Sequence, residues 1–131
     1  MREAIKMAES ALMVDEVPVG AVIINPATSE IISQAHNLVE GKKDPVAHAE
    51  ILAIQAACQK LNSKNLSGMD LYVTMQPCAM CLQAIVYARI RRVYFGAYDT
   101  ADANHKLEVY EGLNEEECKN LLNRFFSNKR K

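Results

Sequence analysis

Apolar positions along the first fourteen residues recur at helical spacing. In "MREAIKMAESALMV", Ile5, Ala8, Leu12 and Met13 fall on one side with charged residues between them, which predicts an amphipathic helix over residues 2–14. "VPVGAVIIN" and "EIISQAHN" then read as β-branched and apolar strands, and the turn-rich "NPATS" between them predicts an antiparallel hairpin. A second helix is expected over residues 48–61, with Ile51, Leu52 and Ile54 toward the core. "DLYVTM" is a short buried strand that runs directly into a helix over "CAMCLQAIVYAR". "RRVYFGAY" and "LEVYEG" are two further strands, and "NEEECKNLLNRFF" is a closing helix with Asn114 as its expected N-cap and three glutamates near its positive end.

Strand and helix alternating after an opening hairpin imply an α/β fold, with a mixed five-stranded sheet and helices on both faces, because parallel neighbours need a helical crossover. Sites in such folds gather at the carboxyl ends of strands. Two unusual segments fall at such places: "QPCAMC" follows "DLYVTM", and "AHAE" opens the other helix.

Composition narrows the class. The 131 residues, half of them hydrophobic, suit one domain spanning 1–131 that buries about two thirds of the surface of its unfolded chain. There are no internal repeats or low-complexity linkers. A net charge of -1 excludes a strongly basic nucleic-acid coat. No apolar run approaches the roughly 20 residues of a membrane span, and the first residues lack the unbroken apolar stretch of a signal peptide, so a cytoplasmic protein is expected. In a reducing compartment, cysteines at ligand spacing point to metal binding or catalysis before disulfides. Cys78 and Cys81 have that spacing, whereas Cys58 and Cys118 read as small core hydrophobes.

Cysteines at i and i+3 share a helix face, and a helix start favours their thiolates. Pro77 suits the strand-to-helix turn just before them. One CxxC alone leaves a thiol redox pair and half of a structural zinc site open. Adding His48 makes three protein ligands, the number that catalytic zinc sites use while keeping a fourth position for water. Glu50 lies two residues from His48, so both can serve one site only in an irregular first turn, where the carboxylate could carry protons for zinc-activated water.

"HAE" followed by "PCAMC" matches H-x-E…P-C-x-x-C, an established signature of zinc-dependent nucleoside and nucleobase deaminases. Together with "EVPVGAVI", "HN" at 36–37, "LYVTMQPCAMC", "ARIRRVYFGAYD", "NHKLEVYEG" and "EEECKNLLNRFF", the chain resembles the bacterial tRNA adenosine deaminases over nearly its whole length. The resemblance implies a three-layer, cytidine-deaminase-like fold and conversion of the wobble adenosine of a tRNA anticodon to inosine. It implies one zinc ion per subunit on His48, Cys78 and Cys81, and Glu50 as proton shuttle. It places Asn37 at the substrate, with the backbone around Ala49 and Pro77 lining the base pocket. A homodimer is implied as well, and "CLQAIVYARI" is apolar enough to suit an interface. The closing "FFSNKRK" resembles the family's RNA-side helix.

Three positions depart from the family pattern. Only "TADA" stands where relatives carry a longer glycine- and serine-rich segment, Gln76 replaces a usual glutamate, and Val46 replaces a common threonine. The short segment favours a rival reading, a deaminase of a free base or nucleoside built on the same residues. A silent zinc-binding subunit would have no use for Glu50, and a thiol redox domain would need neither His48 nor Glu50. His36 and His105 are expected as surface or satisfied core residues, and Gly20 as a close backbone approach. Arg89, Arg91 and Arg92 read as a solvated charged face with a phosphate contact as the alternative, and Met75 and Met80 as core fillers.

Overall fold

A computed structural model of the chain describes residues 1–98 and 108–129. The short segment after Asp99, His105 within its far side, and Arg130 and Lys131 lie outside the described residues.

The elements follow the chain as α1 (Arg2–Met13), β1 (Gly20–Asn25), β2 (Glu30–His36), α2 (Val39–Lys42), α3 (Ala49–Leu61), β3 (Asp70–Met75), α4 (Ala79–Ala88), β4 (Arg92–Ala97), β5 (Glu108–Tyr110) and α5 (Glu115–Lys129). One five-stranded sheet has the order β2-β1-β3-β4-β5. β1 is antiparallel to both β2 and β3, while β3, β4 and β5 run parallel. The hairpin turn closes as "NPATS" predicts: Asn25 Oδ1 accepts from the Ala27 NH at 3.0 Å, and Ser29 takes a φ of 60°.

Side-chain alternation along the strands assigns the two layers. Ala21, Ile23, Leu71, Val73, Val93 and Phe95 meet Ala49, Ala53 and Ala57 of α3 and Ile85 and Ala88 of α4 in the main core. Two intervening positions, Gly20 and Gly96, face α1 and α5. A Cβ on Gly20 would sit 2.6 Å from the Ala8 nitrogen and against the Ala4 carbonyl, so the expected close approach is the seat of α1. Gly96 does the same for α5, where a Cβ would collide with Cys118. A smaller apolar cluster of Ile5, Ala8, Ala97, Cys118 and Leu121 joins these two helices to the sheet.

Three expectations are changed or refined. Met13 is 88% exposed, because α1 turns its buried side through Ala4, Ile5, Ala8 and Ala11 instead. Asn114 precedes α5 with a φ of 55°, outside the extended conformation of an N-cap, and its amide donates to Glu117 Oε1 at 3.1 Å. Arg91 is exposed, as a solvated face predicts, but its guanidinium also clamps buried Asp70 through Nε at 3.0 Å and Nη2 at 2.9 Å, locking the starts of β3 and β4 together. The four-residue α2 had no periodic signal to announce it.

Tyr72, Tyr94 and Tyr110 stack in register across β3, β4 and β5, with ring centroids 4.5 and 4.8 Å apart. Cys118 is buried and Cys58 is half-buried against the main core, as small apolar residues would be. Burial pushes the Cys118 thiol up to about 11.

Candidate active site

Two helix starts converge beyond the carboxyl end of β3. His48 is the N-cap of α3 and Cys78 the N-cap of α4, both with extended backbone (φ -74°, ψ 149° and φ -71°, ψ 172°). The first helical bonds run from the Leu52 NH to the His48 carbonyl at 3.0 Å and from the Leu82 NH to the Cys78 carbonyl at 2.9 Å. Because His48 stands outside the helix proper, Glu50 two residues later can reach the same place. This is the irregular first turn that the spacing demanded.

His48 Nδ1 lies 3.8 Å from Cys78 Sγ and 3.5 Å from Cys81 Sγ. The three ligand atoms lie within 4.8 Å of one another, and the residues could hold a metal ion. A tetrahedral zinc with bonds of about 2.3 Å to sulfur and about 2.0 Å to nitrogen would separate neighbouring S and N ligands by about 3.5 Å. Donor type and spacing therefore fit such an ion. The surroundings fit as well: burial, then the nearby Glu50 and Cys78, push the Cys81 thiol well above its ordinary range, a crowding of acidic groups that a cation would relieve.

Glu50 is only 4% exposed. Burial raises its carboxyl to about 7, partly opposed by hydrogen bonds from its own backbone NH and with the Cys81 side chain. A carboxyl held there can both accept and release a proton at neutral pH.

Asn37 is buried at the end of β2, its NH bonded to the Val19 carbonyl at 3.1 Å. Its Oδ1 accepts from the Ala49 NH at 2.8 Å, so one orphan donor at the start of α3 is satisfied from across the cavity. The side-chain NH₂ is the group left to meet a ligand. Ala49 and Pro77 are both buried at the two helix starts, beside the cavity and not among its lining residues.

The cavity measures about 870 Å³ and takes in His48, Glu50, Cys78, Asn37, Met75 and Gln76. Its outer walls come from three places that spacing could not connect: residues 14–17 after α1, Val39, Glu40, Gly41 and Lys43 around α2, and Phe125 and Phe126 on α5. Met75 is thus half core and half cavity wall. Gln76 lines the cavity while its NH donates to the Ala97 carbonyl at 2.8 Å. Val46 is exposed, with its NH held by Asp44 Oδ1. His36 lies outside this cavity, its Nδ1 2.9 Å from the Asn37 carbonyl. Glu16 also lines the cavity, and the adjacent acids Asp15 and Glu16 just ahead of the apolar "VPVGAVI" are the only sequence signal for it.

A mixed sheet with a His-Cys-Cys cluster and a buried glutamate at two helix starts defines a hydrolytic deaminase, and a family model described as MafB19-like deaminase matches residues 1–130. A tRNA-specific adenosine deaminase of Rickettsia bellii is 43% identical over 96% of this chain and 97% of its own. That of Bacillus subtilis is 43% identical over 100% of this chain and 89% of its own. A solved structure from a study of A-to-I editing by tRNA:A34 deaminases at the wobble position of transfer RNA has a TM-score of 0.87 and 40% identity, covering 93% of this chain and 97% of its own. The chain belongs to the tRNA-specific adenosine deaminase family. The Bacillus subtilis alignment runs over 145 positions against the 131 residues here, so 14 positions meet no residue of this chain.

Proposed function

We propose that this chain hydrolyses the wobble adenosine of a tRNA anticodon to inosine and ammonia, with zinc held by His48, Cys78 and Cys81. The observation that carries the reading is the opening of that cluster, with Glu50 beside it, into a cavity of about 870 Å³, larger than one base requires.

When bound, zinc supplies Lewis acidity and with it a water nucleophile at neutral pH. Glu50 takes a proton from the attacking water, delivers it to the adenine ring as C6 is attacked, and assists departure of the amino group as ammonia. Asn37 offers its NH₂ to the base or ribose, and the bond from Ala49 fixes the orientation of that amide. The backbone at Pro77 and Ala49 shapes the base pocket from behind. A flipped nucleotide leaves its neighbours at the mouth, where Phe126 is 45% exposed and available for stacking.

Residues 1–131 act as one domain. No helix among the described residues is long and apolar enough to cross a membrane; a tRNA substrate supports a cytoplasmic reaction. Val86 and Tyr87 are exposed on α4, which suits a homodimer contact in solution. Incubation with an anticodon stem-loop, beside parallel incubations with free bases and nucleosides, tests the reading. Inosine in the stem-loop supports it; consumption of free bases alone would leave the chemistry standing and remove the tRNA substrate.

A further inference from the structure

The connection from β2 to α3 supplies one outer wall of the cavity, and it carries little apolar anchorage of its own. Glu40, Gly41, Lys42 and Lys43 are exposed, α2 has no buried residue, and Lys43 sits in a left-handed conformation with a φ of 51°. Backbone bonds close the connection on itself, as from the Leu38 NH to the Ala47 carbonyl at 3.0 Å, and a side chain from another part of the chain ties it down. Glu16, 2% exposed and located between α1 and β1, accepts from the Glu40 NH through Oε1 at 3.1 Å and from the Gly41 NH through Oε2 at 2.7 Å. Both carboxylate oxygens are therefore spent on backbone donors of the first turn of α2, a charge-assisted pair of part-buried bonds.

Gly41 gives a second, independent indication. Its backbone needs no special conformation, yet a Cβ there would stand 3.3 Å from Glu16 Oε2, close enough that the carboxylate would have to give by a few tenths of an ångström. Glu16 and the connection line the same cavity from adjacent sides. We propose that Glu16 is a positioning residue that holds the Val39–Lys43 wall in the shape that receives the nucleotides flanking the reacting base, so that it governs polynucleotide binding and not the chemical step. This inference rests on the tRNA reading above.

A wall that contacts only the flanks of a substrate contributes equally before and during the reaction, so its loss raises KM and spares kcat. With zinc-loaded enzyme and an anticodon stem-loop, Glu16→Ala should raise KM by about ten-fold or more while kcat stays within about three-fold and zinc per chain is unchanged. Glu16→Gln should fall between, because a carboxamide offers one acceptor oxygen and presents its own NH₂ to the second amide. Gly41→Ala should move KM in the same direction by a smaller factor. Amide exchange should become faster at Glu40 and Gly41 in Glu16→Ala, with α3 and α4 unaffected. A wild-type KM in Glu16→Ala, or a loss confined to kcat or to zinc content, overturns the inference. A wild-type protein inert on the stem-loop overturns the parent reading instead, whereas an active wild type beside an unimpaired Glu16→Ala overturns only this one.

Discussion

The two ends of β3 each bury a carboxylate, and they treat it in opposite ways. At the amino end, Asp70 is 2% exposed and bound by the guanidinium of Arg91 in a two-pronged pair. Beyond the carboxyl end, Glu50 is 4% exposed and faces a thiol and its own backbone NH, with no Lys or Arg paired to it among the described residues. One burial is compensated within the chain; the other is left for something the chain must acquire. A buried carboxylate with a fixed cation holds the fold, while one without a cation, beside a set of soft metal ligands, is poised for chemistry.

The contrast is broken most completely through the ligand set. Cys78→Ala removes one of three donors and also changes the residue that starts α4, so zinc should fall from about one per chain to near none and activity with it. Metal analysis alongside turnover checks this, and full zinc retention in the variant would exclude Cys78 as a ligand.

Glu50→Gln sharpens the comparison next. A neutral isostere keeps the shape and removes the proton carrier, so kcat should fall by about 100-fold or more with zinc content kept. Because the carboxylate has no cation, stability should hold or rise. Unfolding curves and turnover on the same sample separate these effects, and near-normal turnover would end the proton-carrier role.

Asp70→Asn reverses both outcomes. It leaves Arg91 without its partner, but Arg91 is itself partly in water, so the loss should be about 1–3 kcal/mol, below that of a fully buried broken pair. Activity measured well below the melting temperature should remain near wild type. A catalytic loss without a stability loss would show that the amino end of β3 takes part in the reaction.

How much of this was legible along the chain depends on how local each feature is. His48 and Glu50 lie in one helix start and Cys78 and Cys81 in another, so each half of the site carries its own spacing, and the signature unites them. The hairpin was legible for the same reason, since Asn25 closes its turn within two residues. Glu16 was not, because its partners stand 24 and 25 residues away and nothing near it announces them. Arg91 looked like part of a charge run until the parallel pairing of β3 and β4 brought Asp70 to it. Met13 kept the helical period yet lies outside, because Ala4, Ala8 and Ala11 allow α1 to seat on Gly20 through its smallest residues. Periodicity reports a stripe; the facing surface decides which edge of it is covered.

The smallest effect belongs to the tyrosines near the structural end. Tyr94 lies between Tyr72 and Tyr110 with interplanar angles of 6° and 16°, and Arg92 stands 6.0 Å from the centre of the Tyr110 ring. Ring pairs contribute roughly 0.5–1.5 kcal/mol beyond the area they bury, but these rings are partly exposed, which puts Tyr94→Leu at a loss of about 1 kcal/mol. The neighbouring Tyr72 is six residues upstream of Cys78, about 20 Å of extended chain, and none of the three rings lines the cavity. The variant should therefore lower the denaturation midpoint slightly and leave kcat, KM and zinc content at wild-type values. If turnover falls while the protein is still fully folded, the two ends of the sheet are coupled, and the division between a structural carboxylate and a chemical one would have to be redrawn around the strand that joins them.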